Sequence, residues 1–424
     1  MIGKLPAIET FALPNGLQVA VVHRETAPVV SVQVWYHVGS KDERRDRRGT
    51  AHMFEHMMFK GTAHVRPDAH TQSINGLGGY VSAATDEDAT HYANTLPAEY
   101  LEYAVKLEAE RMRNLLFRAP MIDAQREVLL EELREQSASP LAKGLEGCLW
   151  VAYQKHPYAW TASGNAKDLA AITAEDLKRF YDAYYEPNNA LLVVVGKVAA
   201  ADVKASADKW FGGIAKANEP PRPAAVAQEP PESARRREVA EPGQIGMTLV
   251  GWHIPAARNK DIYALQLASV VLGAGDSSRL KLRLKTADPK TGRSLAFEAG
   301  MDAIVREDPG MAIALGAYSD PAQADAVEAA IFDEVGKLAT RGTTGDELRR
   351  AKNQLQSSLV FSLESAQGLG EAIGRSWILT GNPGAFLRDI DEIDKVSAAD
   401  VQRVARQYLS SDHATVVVFP PKAR

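Results

Sequence analysis

Between Val30 and Val38 apolar side chains recur at every second position, around Trp35. A period of two predicts a β-strand. Ile245 to Ile254 repeats the pattern around Trp252. From Ala98 to Phe117 the period lengthens, and Leu101, Val105, Met112 and Leu116 fall close to helical spacing. Within Ile122 to Glu135, the residues Ile122, Leu129 and Leu133 share one helical face. Both halves of the chain start with strands, continue through helices and end in a strand, at Leu192–Val195 and Val416–Phe419. This order predicts an α+β protein of two homologous domains. Each is expected to be a mainly antiparallel sheet with helices packed on one face, not a regular β-α-β alternation.

The two halves also read as copies of one unit. Ile172–Arg179 (ITAEDLKR) precedes Tyr184 and the run from Leu192, while Val396–Arg403 (VSAADVQR) precedes Tyr408 and the run from Val416. The offset is constant, since 396 − 172, 408 − 184 and 416 − 192 all equal 224. Each copy opens on a Ser/Thr N-cap with an acidic first turn. A colinear series of matches argues for duplication of a domain. Residues 217–233, rich in Pro and Ala without periodicity, form the expected linker between domains 1–216 and 234–424.

Composition narrows the class. A chain of 424 residues, 45% hydrophobic and 24% charged, with a net charge of −5, is a globular protein too long for one ordinary domain. No basic block stands out except Arg235-Arg236-Arg237, so nucleic acid is not an expected partner. A single cysteine, Cys148, in an apolar run, excludes an internal disulfide and predicts a buried thiol. No apolar run reaches the roughly 18 residues of a membrane span. Met1 to Phe11 has no apolar segment of a secretory leader, which predicts a cytoplasmic protein, or a periplasmic one if a leader has been removed.

The candidate chemistry lies in His52-Met53-Phe54-Glu55-His56. On a helix, positions i and i+4 lie on one face, so two imidazoles can converge on one metal ion. Glu55 projects towards the same side and is placed to take a proton from water without being a ligand. Ala51 to Phe59 contains no Pro or Gly, and Gly61 stands where a helix would end. The bland alternative is a core helix whose histidines are incidental. Catalytic zinc usually has three protein ligands and an open position. The helix after Pro120 offers Glu127, Glu131, Glu132 and Glu135 for the third, and helical geometry alone leaves the choice open. His64, His70 and His91 have no partner at helical spacing and are read as structural or surface residues.

These residues resemble the insulinase/pitrilysin family of inverted-motif zinc peptidases, and within it the bacterial members similar to mitochondrial processing peptidase. The run from His52 through Glu55-His56 to Phe59-Lys60-Gly61-Thr62 is similar to the family's H-x-x-E-H-x-x-F-K-G-T signature. Arg126 to Leu133 resembles its second helix, where a glutamate 76 residues beyond the last motif histidine completes the site; 56 + 76 = 132, so the resemblance selects Glu132. It implies one Zn2+ per chain, held by His52, His56 and Glu132, with Glu55 as catalytic base. Gly78-Gly79 and the run to Tyr92 resemble the active-site edge strand, which implies peptide binding along Gly79, Tyr80, Val81, Ser82 and Ala83. Tyr185 to Asn189, before the valine-rich strand, is another match.

The sequence departs from the family pattern at three places. Gln125 stands where a glutamate supporting the ligands is usual, and Ser82 where an asparagine is. In the second half the family carries an Arg and a Tyr seven residues apart; here Lys290 and Phe297 occupy those positions, with Arg293 out of register. The second domain is therefore expected to carry no metal site and no tyrosine hydroxyl in the family's register. The resemblance implies a zinc endopeptidase subunit acting on unfolded peptides or small proteins in an enclosed chamber. It further implies a heterodimer with a related subunit that supplies the Arg/Tyr pair, or alternatively a homodimer in which Arg293 or Tyr318 substitutes. The rival function is a non-catalytic assembly subunit of the same fold.

Overall fold

The computed structural model describes residues 7–222 and 236–422, without the side chain of Arg236. Residues 223–233 of the expected linker, Met1–Pro6 and Arg235 lie outside the described residues. Within them are two sheets.

The first sheet comprises β1 (Glu9–Ala12), β2 (Gln18–His23), β3 (Val29–Tyr36), β4 (Tyr80–Thr85), β5 (Thr90–Pro97) and β6 (Ala190–Gly196), in the order β1-β2-β6-β3-β5-β4. The second comprises β7 (Arg236–Val239), β8 (Gly246–His253), β9 (Glu298–Ile304), β10 (Met311–Tyr318) and β11 (Thr415–Phe419), in the order β7-β11-β8-β10-β9. Without β1, the two orders are the same. Both sheets are antiparallel except at one equivalent pair, β2 with β6 and β7 with β11. The duplication read from sequence is thus repeated in topology. The capping boxes recur as well: Thr173 with Asp176 opens the helix Ala174–Tyr184, and Ser397 with Asp400 opens the helix Ala398–Tyr408.

The compact units are not the contiguous halves 1–216 and 234–424. One is Met1–Arg134, Trp160–Ala225 and Val360–Leu387; the other is Glu135–Ala159, Val226–Leu359 and Arg388–Arg424. Each half of the sequence therefore lends a helix to the unit built mainly from the other half. The reason is visible in β3. Its alternation suggests one wet face, yet Ser31, Gln33 and Trp35 are all buried. The helix Ala366–Thr380 covers them, so the first sheet carries helices on both faces. Gly370 and Gly374 allow the approach, since a Cβ there would lie 2.3 Å from the Gln33 amide and 2.1 Å from the Trp35 ring. Leu369, Ile373 and Trp377 fill a second core with Ala20, Val22, Leu191, Val193 and Val195. The buried Gln33 is satisfied: its amide donates to Ser31 Oγ at 3.1 Å and to the Gln367 carbonyl at 2.9 Å, and its Oε1 accepts from Trp35 at 3.0 Å. β6, buried at every position, reads as an unbroken apolar run for the same reason.

The first five α-helices along the chain are α1 (Thr50–Met57), α2 (Ala69–Gly76), α3 (Leu101–Arg113), α4 (Ala119–Ala138) and α5 (Pro140–Ala152). α5 does in the second unit what Ala366–Thr380 does in the first. Its Gly144 faces Met247 and Leu249, and its Gly147 faces Phe419. Cys148, on α5, is buried as expected. Of the basic run, Arg237 is engaged with Asp325 and Glu328, at 2.6 and 2.9 Å. No helix among the described residues is long and apolar enough to cross a membrane.

Candidate metal centre

α1 is short, and its two faces have different tasks. Ala51, Met53, Phe54 and Met57 are fully buried. Phe54 packs among Phe117, Phe180, Tyr181 and Tyr185, so the residues between the histidines are core. His52, Glu55 and His56 occupy the opposite, half-buried face. The helix ends at Met57, earlier than Gly61; Gly61 follows beyond the cap with φ 108, in the turn leading to the bridge between Thr62 and Leu115.

α4 supplies the carboxylate. Ile122, Gln125 and Leu129 are its buried face, and Glu132 continues that face at helical spacing. Glu127, Glu131 and Glu135 point outward and are exposed, and Glu131 is paired with Arg134 at 2.6 Å. Of the four glutamates left open by the pattern, Glu132 alone joins the histidines. Its Oε2 lies 3.7 Å from His52 Nε2 and 3.6 Å from His56 Nε2. The imidazole rings meet edge to face at 5.0 Å. Among the described residues this trio is the only group of three or more His, Cys, Asp or Glu whose ligand atoms lie within 4.8 Å of one another.

The trio fits zinc on the chemistry of its donors. The N···O separations are too long for hydrogen bonds, but two donors each about 2 Å from a tetrahedral ion stand roughly 3.4 Å apart. Burial, together with the neighbouring His56, lowers His52 to about 4, so its ring keeps a free lone pair at neutral pH. Two nitrogens and one carboxylate oxygen leave a fourth position open.

Glu55 lies beside the trio. Thr85, the last residue of β4, donates its hydroxyl to Glu55 Oε2 at 2.8 Å. Burial raises the Glu55 carboxyl, and the Thr85 bond partly offsets the rise. A cleft of ≈ 390 Å³ opens here, lined among others by Glu55, His56, Phe59, Val81, Ala83 and Gln125. Gln125 is 7% exposed and borders the cleft from α4. β4 is the free edge of the sheet, paired only with β5. Tyr80, Val81, Ser82 and Ala83 lie along this edge, with Tyr80 half exposed. Gly79 precedes it, where a Cβ would meet the Thr95 carbonyl at 2.5 Å.

The other histidines behave as structural or surface residues. His70 is buried against Asn94 at 2.8 Å, His91 stacks on Trp35 with ring centroids 3.9 Å apart, and His64 pairs with Glu110 at the surface. In the second unit, Phe297 precedes β9 and is 48% exposed. Lys290 and Arg293 are exposed in the preceding loop. Tyr318 is no substitute for an open tyrosine. It is 1% exposed on β10, with its hydroxyl 3.1 Å from Thr248 Oγ1. Two contributors to the first unit's site escaped the sequence reading, Thr85 and Gln367. The threonine ends the segment YVSAAT, which has no regular alternation to mark it. Gln367 bonds Ser82 across a separation of 285 residues, and no local pattern marks it.

Comparison with known proteins identifies the chain's family. Residues 18–162 match the family model described as Insulinase (Peptidase family M16), and residues 171–355 match that of the Peptidase M16 inactive domain. The zinc protease PqqE of Helicobacter pylori is 30% identical over 98% of this chain and 94% of its own. A probable mitochondrial-processing peptidase subunit beta of Arabidopsis thaliana is 28% identical over 98% of this chain and 79% of its own. The crystal structure of a protease from Helicobacter pylori superposes with a TM-score of 0.90 at 28% identity, covering 98% of this chain and all of that one. The fold, the duplicated halves and the full-length likeness place the chain in the M16 insulinase family of zinc proteases.

Proposed function

We infer that this chain is a zinc endopeptidase that hydrolyses peptide bonds of unfolded peptides bound as an extended strand. The observation that carries the reading is the convergence of His52, His56 and Glu132 beside a half-buried Glu55. One zinc ion per chain, held by the trio, would act as a Lewis acid on the scissile carbonyl and make water more acidic. Glu55 takes the water proton and delivers it to the leaving amine. The Thr85 hydroxyl holds the carboxylate in place for both transfers, and its own position at the end of β4 ties the base to the binding edge. A substrate strand added to β4 meets unpaired backbone groups, with Tyr80, Val81, Ser82 and Ala83 beneath it. Gln125 supports the α4 wall of the cleft without charge. Recognition through the backbone favours extended, unfolded chains over any one sequence.

The second half completes the reading. With Phe297 in place of a tyrosine and Tyr318 buried, a related subunit bearing the Arg/Tyr pair would supply the missing donors, as a heterodimer enclosing the substrate. A non-catalytic assembly role is disfavoured by the joint retention of His52, Glu55, His56 and Glu132. The test is Glu55→Gln. The amide is nearly isosteric but is no base, so the variant should keep its zinc and lose about 10²–10⁴-fold in the rate of peptide hydrolysis. Near-native turnover would refute the assignment.

A further inference from the structure

We propose that Glu43 is a positioning residue for the metal centre, acting as a buried clamp on the N-terminus of α1; the inference rests on the zinc reading given above. Glu43 is 7% exposed. Its Oε2 accepts the Gly49 N–H at 3.0 Å and its Oε1 accepts the Ala51 N–H at 2.8 Å. Both oxygens of one carboxylate are thus spent on donors that an α-helix leaves without internal partners at its start. The N-cap residue itself supplies nothing: it is Gly49, at φ 91, with no side chain to cap. A side chain at that place would be strained, since φ is left-handed and a Cβ would lie 2.6 Å from the Leu169 side chain. The cap must therefore come from elsewhere in the chain, and Glu43 provides it with both side-chain oxygens; burial pushes this carboxyl well up from its usual range, and the two backbone N–H bonds oppose the rise.

The consequence reaches the ligands. α1 has eight residues, and His52 is its third and His56 its seventh. Both ligands sit in end turns, where a helix of this length frays in isolation. The first ladder bond, from Met53 N–H to the Gly49 carbonyl at 2.9 Å, spans the His52 turn. Ala51, held by Glu43, is the immediate neighbour of His52. The clamp fixes that turn and with it the 3.7 Å separation of His52 from Glu132. The helix Ala174–Tyr184 and its copy Ala398–Tyr408 in the second half carry their own N-caps, whereas α1 takes its cap from Glu43.

Metal-free full-length chain is titrated with zinc against a chromophoric chelator. Glu43→Gln, which loses one acceptor, should bind zinc about 10–100-fold more weakly. Thr173→Ala, which removes the cap of a helix that carries no ligand, should lower the melting temperature and leave zinc affinity unchanged. Native affinity in Glu43→Gln, or the same loss in Thr173→Ala, would overturn the proposal. Should Glu43→Gln fail to fold, hydrogen exchange of the native metal-free chain decides. The Gly49 and Ala51 amides should exchange as slowly as the core of α1, whereas exchange at the rate of exposed loops would overturn the clamp. A native chain that takes up no zinc would sink the functional reading instead, and the exchange result would still judge the clamp.

Discussion

Gln367 donates its side-chain amide to the Ser82 hydroxyl at 3.1 Å, although the two residues are 285 positions apart. The bond ties a helix from the second half of the sequence to the edge strand β4 beside the candidate metal centre. The half-chain 1–216 lacks that helix and would expose Trp35, Leu191, Val193 and Val195. Expressed alone, it should bind a hydrophobic dye and melt without a cooperative transition. A sharp melt close to that of the full chain would contradict the exchange of helices.

Two glycines on helices should respond to alanine with opposite signs. Gly374→Ala places a Cβ 2.1 Å from the Trp35 ring, inside a packed core. The expected cost is about 1–3 kcal/mol. Gly336 lies on the exposed face of the helix Ala324–Arg341, where a Cβ meets nothing within 4 Å. Gly336→Ala should stabilise by about 0.5–1 kcal/mol through backbone entropy. Urea unfolding of the two variants reads both values, and equal shifts would show that packing at Trp35 is not the cause.

Acid should destabilise the fold through its buried histidines. Burial lowers His70 to about 3 and His91 to about 4. Both titrate near 6.5 when unfolded. The unfolded state therefore binds the proton first. The stability from keeping each ring neutral is present above pH 6.5 and is lost as pH falls towards the folded value. The loss is up to about 1.4 kcal/mol per pH unit for each histidine. His70→Gln should flatten the pH dependence of the urea midpoint between pH 6 and 4, and an unchanged slope would remove His70 as a cause.

The partner hypothesis predicts that the isolated chain binds zinc yet digests unfolded peptides poorly. Adding a related subunit with an intact Arg/Tyr segment should form a heterodimer on size-exclusion chromatography. The rate should then rise roughly 10²–10³-fold, the usual worth of a transition-state donor. Full activity from the chain alone, unchanged by any such subunit, would refute it.

Much of this architecture was legible because its determinants are local. The capping boxes at Thr173 and Ser397, the period-two run around Trp35 and the i, i+4 histidines each announce an element within a few residues. The choice of Glu132 needed more, since helical spacing left Glu127, Glu131 and Glu135 equally open. Only resemblance selected Glu132 before the fold brought it to the histidines. What stayed hidden is non-local. Ser31 and Gln33 read as a wet face because polar residues usually mark one, and only a helix from the far half, with Gly370 and Gly374 against them, makes them core. Glu43 was unreadable for a related reason. A carboxylate capping a helix from outside the N-cap position has no fixed sequence offset.

The central claim is that His52, His56 and Glu132 hold one zinc ion, and metal content tests it most directly. Glu132 Oε2 lies within 4 Å of both imidazoles, whereas Glu131 faces outward in a pair with Arg134. Purified native chain and Glu131→Ala should each carry close to one zinc per chain by elemental analysis, and Glu132→Ala should carry almost none. Equal zinc in the two alanine variants, or a native chain without zinc, would contradict the account.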